Sequence, residues 1–264
     1  MSNVNKFAAL VRRHLGDPEI IFEFGARDCA ETVMISREFP HAKVYSFECN
    51  QATLPICRRR ATANPRITLV ESAVGDIDGR ATFHPIDQEK TVTTWADGNP
   101  GASSLLLASG KYEVESYVQR SEEVSIVRPD TFMAKFAIAK VDAVWMDIQG
   151  AELMALHGFG ERLLDVELLS LEAEFVEIYD GQPLFWEIHG FLVDKGFLLT
   201  EFLTFGRYSC DAVFVQHKKP KFIAAFRSSQ LLFYAKFLIG VYYPLRRRVG
   251  LGLRKIGLIR QAGH

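Results

Sequence analysis

The chain has 264 residues, 48% apolar and 24% charged, an ordinary globular composition with enough length to bury one sizeable core. Its four cysteines, Cys29, Cys49, Cys57 and Cys210, form no C-x-x-C pair and no zinc-ligand spacing. This argues against a disulfide framework or structural zinc and for a reduced, cytoplasmic setting. The net charge of −1 hides an asymmetry: residues 218–264 hold eleven Lys or Arg and no acid, leaving 20 basic against 32 acidic residues before them.

Residues 4–15 read as a short amphipathic helix stopped by Gly16 and Pro18. Arg12, Arg13 and His14 follow its apolar residues instead of preceding them, unlike a secretory leader. Residues 19–29, E-I-I-F-E-F-G-A-R-D-C, come next. Ile20, Ile21, Phe22 and Phe24 with only Glu23 between them describe a strand buried on both faces, the centre of a parallel sheet. Gly25 permits a sharp turn and the close approach of a ligand, and residues 28–38 continue as a helix. The G-x-G-x-x-G fingerprint is absent, because Ala26, Arg27, Asp28 and Cys29 follow Gly25; a pyrophosphate ligand is disfavoured. Residues 43–48 form a second strand ending in Glu48, placed to accept hydrogen bonds from a ribose. A ribose without a pyrophosphate points to S-adenosylmethionine as cofactor.

Residues 51–63 are helical, and Arg58, Arg59 and Arg60 read as a solvated helix end. No aromatic side chains are interleaved with them, so nucleic acid is not an expected partner. Residues 66–71 make a third strand. The small residues Ser72, Ala73, Val74 and Gly75 after it would admit a flat adenine. Asp78-Gly79 signals a hairpin joining residues 73–74 to 81–83. The polar stretch 87–109, which contains Ser103, Ser104 and Leu105, is long enough to be a lid or binding loop.

Residues 123–128 form a strand, Pro129 opens a short helix, and residues 141–147 form a buried strand ending in Asp147. A helix over 150–158, a strand over 166–172, a helix over 183–195 and a closing antiparallel pair, 197–205 with 210–216, complete the body. Strands alternating with helices define an α/β, doubly wound, mostly parallel, Rossmann-like sheet that binds ligands beyond its strands' carboxyl ends. The expected organisation is one domain over 1–217 and a basic helical tail over 218–264.

Taken together, residues 20–216 resemble the FkbM family of S-adenosylmethionine-dependent methyltransferases. The resemblance rests on F-E-F-G-A, F-P-H-A-K-V-Y-S-F-E, S-A-V-G-D followed by D-G, S-S-L, and W-M-D-I-Q-G-A-E-L-M-A-L-H-G in that order. It implies an O-methyltransferase acting on a hydroxyl of a sugar, a glycolipid or a small molecule. Carried over by position, Glu23, Gly25 and Ala26 would surround the methionine portion of the cofactor, and Glu48 with Cys49 its ribose. Ser72, Ala73 and Val74 would lie near adenine and Asp147 near the reacting methyl. Asp147, Glu152 and Glu172 are the candidate catalytic acids, and Ser103, Ser104 and Gln149 the candidate acceptor contacts. No metal is expected.

Three positions depart from the family pattern. Cys29 replaces a second glycine, Trp145 replaces a lysine, and Q-G-A-E at 149–152 replaces E-G-x-E. The last two together read as a swapped charge pair. Asp147 has a competing reading as a cap for the helix near Gly150, and His84, His157 and His189 are alternative bases. A nicotinamide oxidoreductase is disfavoured by the missing glycines. A non-catalytic adenosyl-binding or interaction module working through its basic tail is the other alternative.

Within the tail, residues 231–245 are apolar but interrupted by Lys236, Gly240 and Pro244, too short to span a bilayer. Leu245, Val249, Leu253 and Ile256 fall on one helical stripe, with Arg246, Arg247, Arg248, Arg254 and Lys255 elsewhere. This pattern suits the surface of an anionic membrane, hence a peripheral position on the inner face; together with the resemblance it implies a lipid-linked sugar as acceptor. Packing on the acidic body, or on a second subunit of a homodimer, is the competing reading.

Overall fold

A computed structural model describes residues 2–217 and 222–245. The chain divides into two units, Met1–Lys218 and Lys219–His264.

The first unit opens with α1 (Asn3–Leu15), whose N-terminus is capped by the Ser2 hydroxyl accepting the Asn5 N–H. Gly16, at φ 82, closes it by returning its N–H to the Arg12 carbonyl. There follow β1 (Ile20–Phe24), α2 (Ala30–Glu38), β2 (Lys43–Phe47), α3 (Leu54–Thr62) and β3 (Ile67–Val70). An excursion of β4 (Ala73–Val74), β5 (Gly79–Phe83) and β6 (Glu122–Val127) comes next. Then come α4 (Pro129–Lys135), β7 (Val141–Met146), α5 (Glu152–Gly158), β8 (Val166–Glu174), α6 (Phe185–Asp194), β9 (Phe197–Phe205) and β10 (Ser209–Gln216).

Seven strands make one sheet in the order β3-β2-β1-β7-β8-β10-β9. The strands from β3 to β8 pair in parallel, and β10 runs antiparallel to both β8 and β9. The chain leaves β1 toward one edge and later returns to its other side through β7, so a crevice opens beyond Phe24 at the point of reversal. This is the mostly parallel, doubly wound architecture that the alternation of elements predicts.

Strand alternation sorts the core into two layers. Ile21, Val44, Ala143 and Trp145 face one way, clustered with Val4, Phe7 and Val11 of α1 and Ile35 of α2. Trp145 meets Phe7 edge-on at 5.1 Å. Phe22, Phe24 and Phe47 face the other way, where Phe132 of α4 lies 4.9 Å from Phe47 and Phe159 lies 5.9 Å from Phe24. Each fully buried aromatic of this kind contributes about 1.5–3 kcal/mol by removal from water, so the sheet centre is the stiffest part of the scaffold.

The excursion differs from the expected hairpin. β4 and β5 do not pair with each other; both flank β6, β4 in parallel and β5 antiparallel. The Asp78-Gly79 turn therefore spans a strand inserted later from residues 122–127, a non-local partner that no local turn signal encodes. The long connection is held by isolated bridges, His84 with Ser104, Ile86 with Gln119, Val92 with Ser116 and Ala108 with Tyr179. Short helical turn Pro100–Ala102 lies within it.

In the second unit, α7 (Phe222–Phe237) runs on through a π-helical turn, Leu238–Tyr242. Gly240 and Lys236 do not break it, and no described helix is long and apolar enough to cross a membrane. Val249, Leu253 and Ile256 of the expected basic stripe lie outside the described residues.

Candidate active site

The crevice is built where β1, β2 and β7 end. Gly25, at φ 85, and Ala26 both donate their N–H groups to the Phe47 carbonyl, at 3.1 and 3.0 Å. A Cβ on Gly25 would stand 1.9 Å from the carbonyl oxygen of Asp147. The glycine is thus required by the turn, as its sequence position predicts, and by the close passage of the chain leaving β7, which the sequence does not show. Arg27 and Cys29 also hold left-handed backbone, at φ 53 and 59. Cys29 keeps the conformation a glycine would adopt freely, at a cost of about 1–2 kcal/mol.

Glu48 ties the first two turns together. Its Oε2 accepts the Arg27 N–H at 2.7 Å, and its Oε1 accepts those of Cys49 and Asn50 at 2.9 and 2.7 Å. Burial pushes its carboxyl up to about 7, against the pull of these three donors. A carboxylate offers about four lone-pair positions, so one remains for a hydroxyl in the cleft.

A cavity lies against these turns. Gly25, Glu48, Cys49, Ser72, Ala73, Val74, Ser103, Asp147 and Gln149 line it, together with Leu105 of the S-S-L motif and with Asn50 and Phe83, which carry no site signal in the sequence. Glu23 and Ala26 do not. Glu23 sits beneath the sheet, accepting hydrogen bonds from Thr32 and from Ser46, the latter at 2.5 Å, with Oε1 unpartnered. Its register neighbour is Trp145. The lysine-to-tryptophan departure therefore faces Glu23 and α1, while Gln149 lies in the cleft; the two departures are separate events and do not form a swapped pair.

A second cavity shares Gly25, Arg27, Gly101, Asp147 and Gln149 with the first. Trp95, Tyr112, Tyr117, Glu115, Glu172 and Glu174 contribute to its walls. The aromatic residues come from the long connection, fixed partly by the Arg27–Asp97 ion pair at 2.8 Å. Glu174 lies two residues beyond Glu172 on the same face of β8, a position that a longer strand assignment would have exposed. Trp95, Tyr112 and Tyr117 carry no periodic signal, and only the folded connection brings them to the site.

Asp147 is exposed between the two cavities and takes a hydrogen bond from Gln149 Nε2 at 2.6 Å. It does not cap α5, which begins at Glu152 with Ala151 at the cap position. Glu152 instead braces the turn before the helix, accepting the Ile148 N–H at 3.0 Å. It is fully buried, its other oxygen has no partner, and burial pushes it up to about 7. Glu172 is raised well above the usual carboxylate range by burial and by the neighbouring Asp147 and Glu174. Ser104 is buried and donates to the Gln149 carbonyl at 2.7 Å. His84 contacts Ser121, His157 packs on Phe191 and His189 on Phe185 and Phe214; none lines either cavity. Among the described residues no group of three or more His, Cys, Asp or Glu is arranged to hold a metal ion.

The strand order, the antiparallel last strand and an acid-ended β2 at a crevice without a pyrophosphate loop define the S-adenosylmethionine-dependent methyltransferase class. Residues 21–199 match the family described as Methyltransferase FkbM domain, and the chain belongs to that family. It is an S-adenosylmethionine-dependent methyltransferase. The chain is similar to 2-O-methyltransferase NoeI of Sinorhizobium fredii (strain NBRC 101917 / NGR234), 26% identical over 168 residues that cover 63% of this chain and 67% of that one. Among solved structures it is similar to an uncharacterized protein from Listeria monocytogenes serotype 4b, with a TM-score of 0.51, 10% identity and coverage of 99% and 89%. It also aligns with precorrin-6y C5,15-methyltransferase from Geobacter metallireducens GS-15, with a TM-score of 0.42, 12% identity and coverage of 80% and 85%.

Proposed function

We propose that the protein transfers a methyl group to a hydroxyl oxygen of a sugar-bearing acceptor, with Asp147 as the base. The observation that carries this reading is the second cavity. Its aromatic side chains, Trp95, Tyr112 and Tyr117, offer faces for a sugar ring, and its carboxyl groups, Glu115, Glu172 and Asp147, offer hydrogen-bond partners for sugar hydroxyls. It meets the first cavity at Asp147. The similar 2-O-methyltransferase, named for transfer to an oxygen, supports the same reaction type.

S-adenosylmethionine, when bound, supplies a methyl group activated by a sulfonium. The rest falls to the chain. Glu48, with its remaining lone pair, and Asn50 would hold a ribose hydroxyl, and Ser72 to Val74 with Phe83 and Leu105 would enclose the adenine. Asp147 takes the proton that an attacking hydroxyl must lose, a role that contributes roughly 10²- to 10⁴-fold. Fixing acceptor and methyl in line supplies about 7–11 kcal/mol of the barrier. The test is incubation with methyl-labelled cofactor and a cell extract. Label should appear on an oxygen of a glycan or glycolipid, and Asp147→Asn should abolish it while S-adenosylhomocysteine still binds. Label on nitrogen or carbon, or full turnover by the variant, overturns the reading; binding without any turnover favours the adenosyl-binding module.

We further infer that the second unit attaches to an anionic membrane. Phe226, Phe233, Phe237, Val241 and Leu245 recur at seven- and four-residue spacing on α7 and its continuation, all exposed, Phe233 by 73%. Residues 218–264 add eleven basic side chains and no acid, and near anionic lipid each contributes about 1 kcal/mol. A lipid-linked acceptor would be met at such a surface. Co-sedimentation with phosphatidylserine vesicles at low salt, lost in Phe233→Ser/Phe237→Ser, is the expected result. No co-sedimentation, or dissociation of a dimer by the same variant, assigns the face to protein packing.

A further inference from the structure

Gln149 sits at φ 55, immediately before Gly150 at φ 93. Left-handed backbone is unfavourable for a non-glycine residue, and specific contacts hold this one. Its carbonyl accepts the Ser104 hydroxyl at 2.7 Å, and its side-chain oxygen lies 2.9 Å from the Tyr179 hydroxyl, whose single proton it shares with the Ala102 carbonyl at 2.8 Å. Its side-chain nitrogen then faces two acids, donating to Asp147 Oδ1 at 2.6 Å and Glu172 Oε2 at 2.8 Å. The pair of acids fixes which way the amide points, since the reverse orientation would set an amide oxygen against two carboxyl groups. Both N–H bonds are thereby spent, and no donor is left for an acceptor molecule. This differs from the acceptor contact expected of Gln149 from the sequence.

We propose that Gln149 is a positioning residue for methyl transfer: its amide holds one oxygen of Asp147, leaving the other for the acceptor hydroxyl, and separates Asp147 from Glu172. The proposal rests on the reading of Asp147 as the base. Two facing acids without such a bridge share a proton, and their titrations split. The surroundings would sharpen that coupling. Glu31 of α2, Glu152 of α5, Glu172 and Glu174 of β8 and Asp211 of β10 all act on this cluster with negative charge. Among the described residues Arg27 is the one basic side chain lining both cavities, and it is paired with Asp97. Removing the amide donors should therefore make Asp147 hold its proton more tightly.

The experiment follows the side-chain carboxyl of Asp147 by carbon-13 NMR across pH, in the full chain saturated with S-adenosylhomocysteine. Turnover is read in parallel with labelled cofactor and a dilution series of the cell extract. Gln149→Leu should raise the Asp147 titration and the acidic limb of kcat by about one pH unit, the scale of a single close charge or hydrogen bond. The same-shaped Gln149→Glu should raise both further. Turnover at pH 7 should fall at least tenfold, with S-adenosylhomocysteine affinity within about threefold. Ser104→Ala, which loosens the turn but keeps the amide, should leave the limb in place. Loss of turnover with both titrations unmoved makes Gln149 merely structural, and a raised apparent KM with unchanged kcat makes it an acceptor contact; either overturns the proposal. If Asp147→Asn turns over normally, the base assignment falls with it. If Asp147→Asn is inactive but the limb of Gln149→Leu is unmoved, the positioning role falls alone.

Discussion

Glu23 allows a pH-dependent contribution to stability to be worked from the structure. The side chain is 1% exposed, receives hydroxyl hydrogen bonds from Ser46 and Thr32, and has one oxygen without a partner. Burial raises its carboxyl from 4.5 to about 8, and the two hydroxyl donors only partly oppose this. The folded chain therefore keeps a proton that the unfolded chain releases. Below 4.5 both states are protonated and the difference vanishes; from 4.5 to about 8 folding loses stability as pH rises, and above that the loss is complete. At about 1.4 kcal/mol per pH unit the gap bounds the loss at about 5 kcal/mol. Roughly 2–3 kcal/mol of it falls between pH 6 and 9. Glu23→Gln has the shape of the protonated acid and no charge at any pH. In urea titrations at pH 6 and 9, the variant should gain roughly 2–3 kcal/mol on the parent across that interval. Its affinity for S-adenosylhomocysteine should change by less than about twofold, because Glu23 lines neither cavity. A stability difference that stays constant with pH would refute the electrostatic argument, and a large loss of affinity would return Glu23 to the cofactor site.

Glu48→Ala removes the acceptor of three backbone N–H groups as well as the proposed ribose contact. Calorimetry should show S-adenosylhomocysteine binding weakened by at least the 1.5–3 kcal/mol of a charge-assisted hydrogen bond, about tenfold or more; unchanged affinity would remove Glu48 from the site. Gly25→Ala places a methyl 1.9 Å from the Asp147 carbonyl in a left-handed turn, so the expected outcome is a protein that unfolds at much lower urea or loses cofactor binding. Normal stability and binding would show that the two strand ends can separate freely. Trp95→Ala should raise the apparent KM for the labelled acceptor while leaving S-adenosylhomocysteine affinity unchanged, since Trp95 borders only the second cavity; an unchanged KM would move the acceptor elsewhere.

The order of strands and helices was legible in the sequence because each carries its own period. The apolar run of β1, broken only by Glu23, and the acids just after β2 and β7 place a two-face-buried sheet and a crevice, whatever the rest of the chain does. Gly25 was readable as a turn, and Glu48 and Asp147 as strand-end acids, since a strand's last residue emerges at the crevice rim. These are local properties, fixed by alternation and by backbone sterics. Side-chain destinations were not. Glu23 looked like a cofactor contact, but strand alternation together with the packing of α1 and α2 turns it under the sheet beside Trp145. The Asp78-Gly79 turn looked like a hairpin, but β6, some forty residues later, inserts between its arms. Gln149 and Glu172 lie 23 positions apart, and Tyr179 and Ser104 reach Gln149 from separate elements. Hydrogen-bond partners of that kind depend on which elements pack against each other, so composition and periodicity determine the scaffold and its crevice, while only the tertiary structure decides which acid each donor meets.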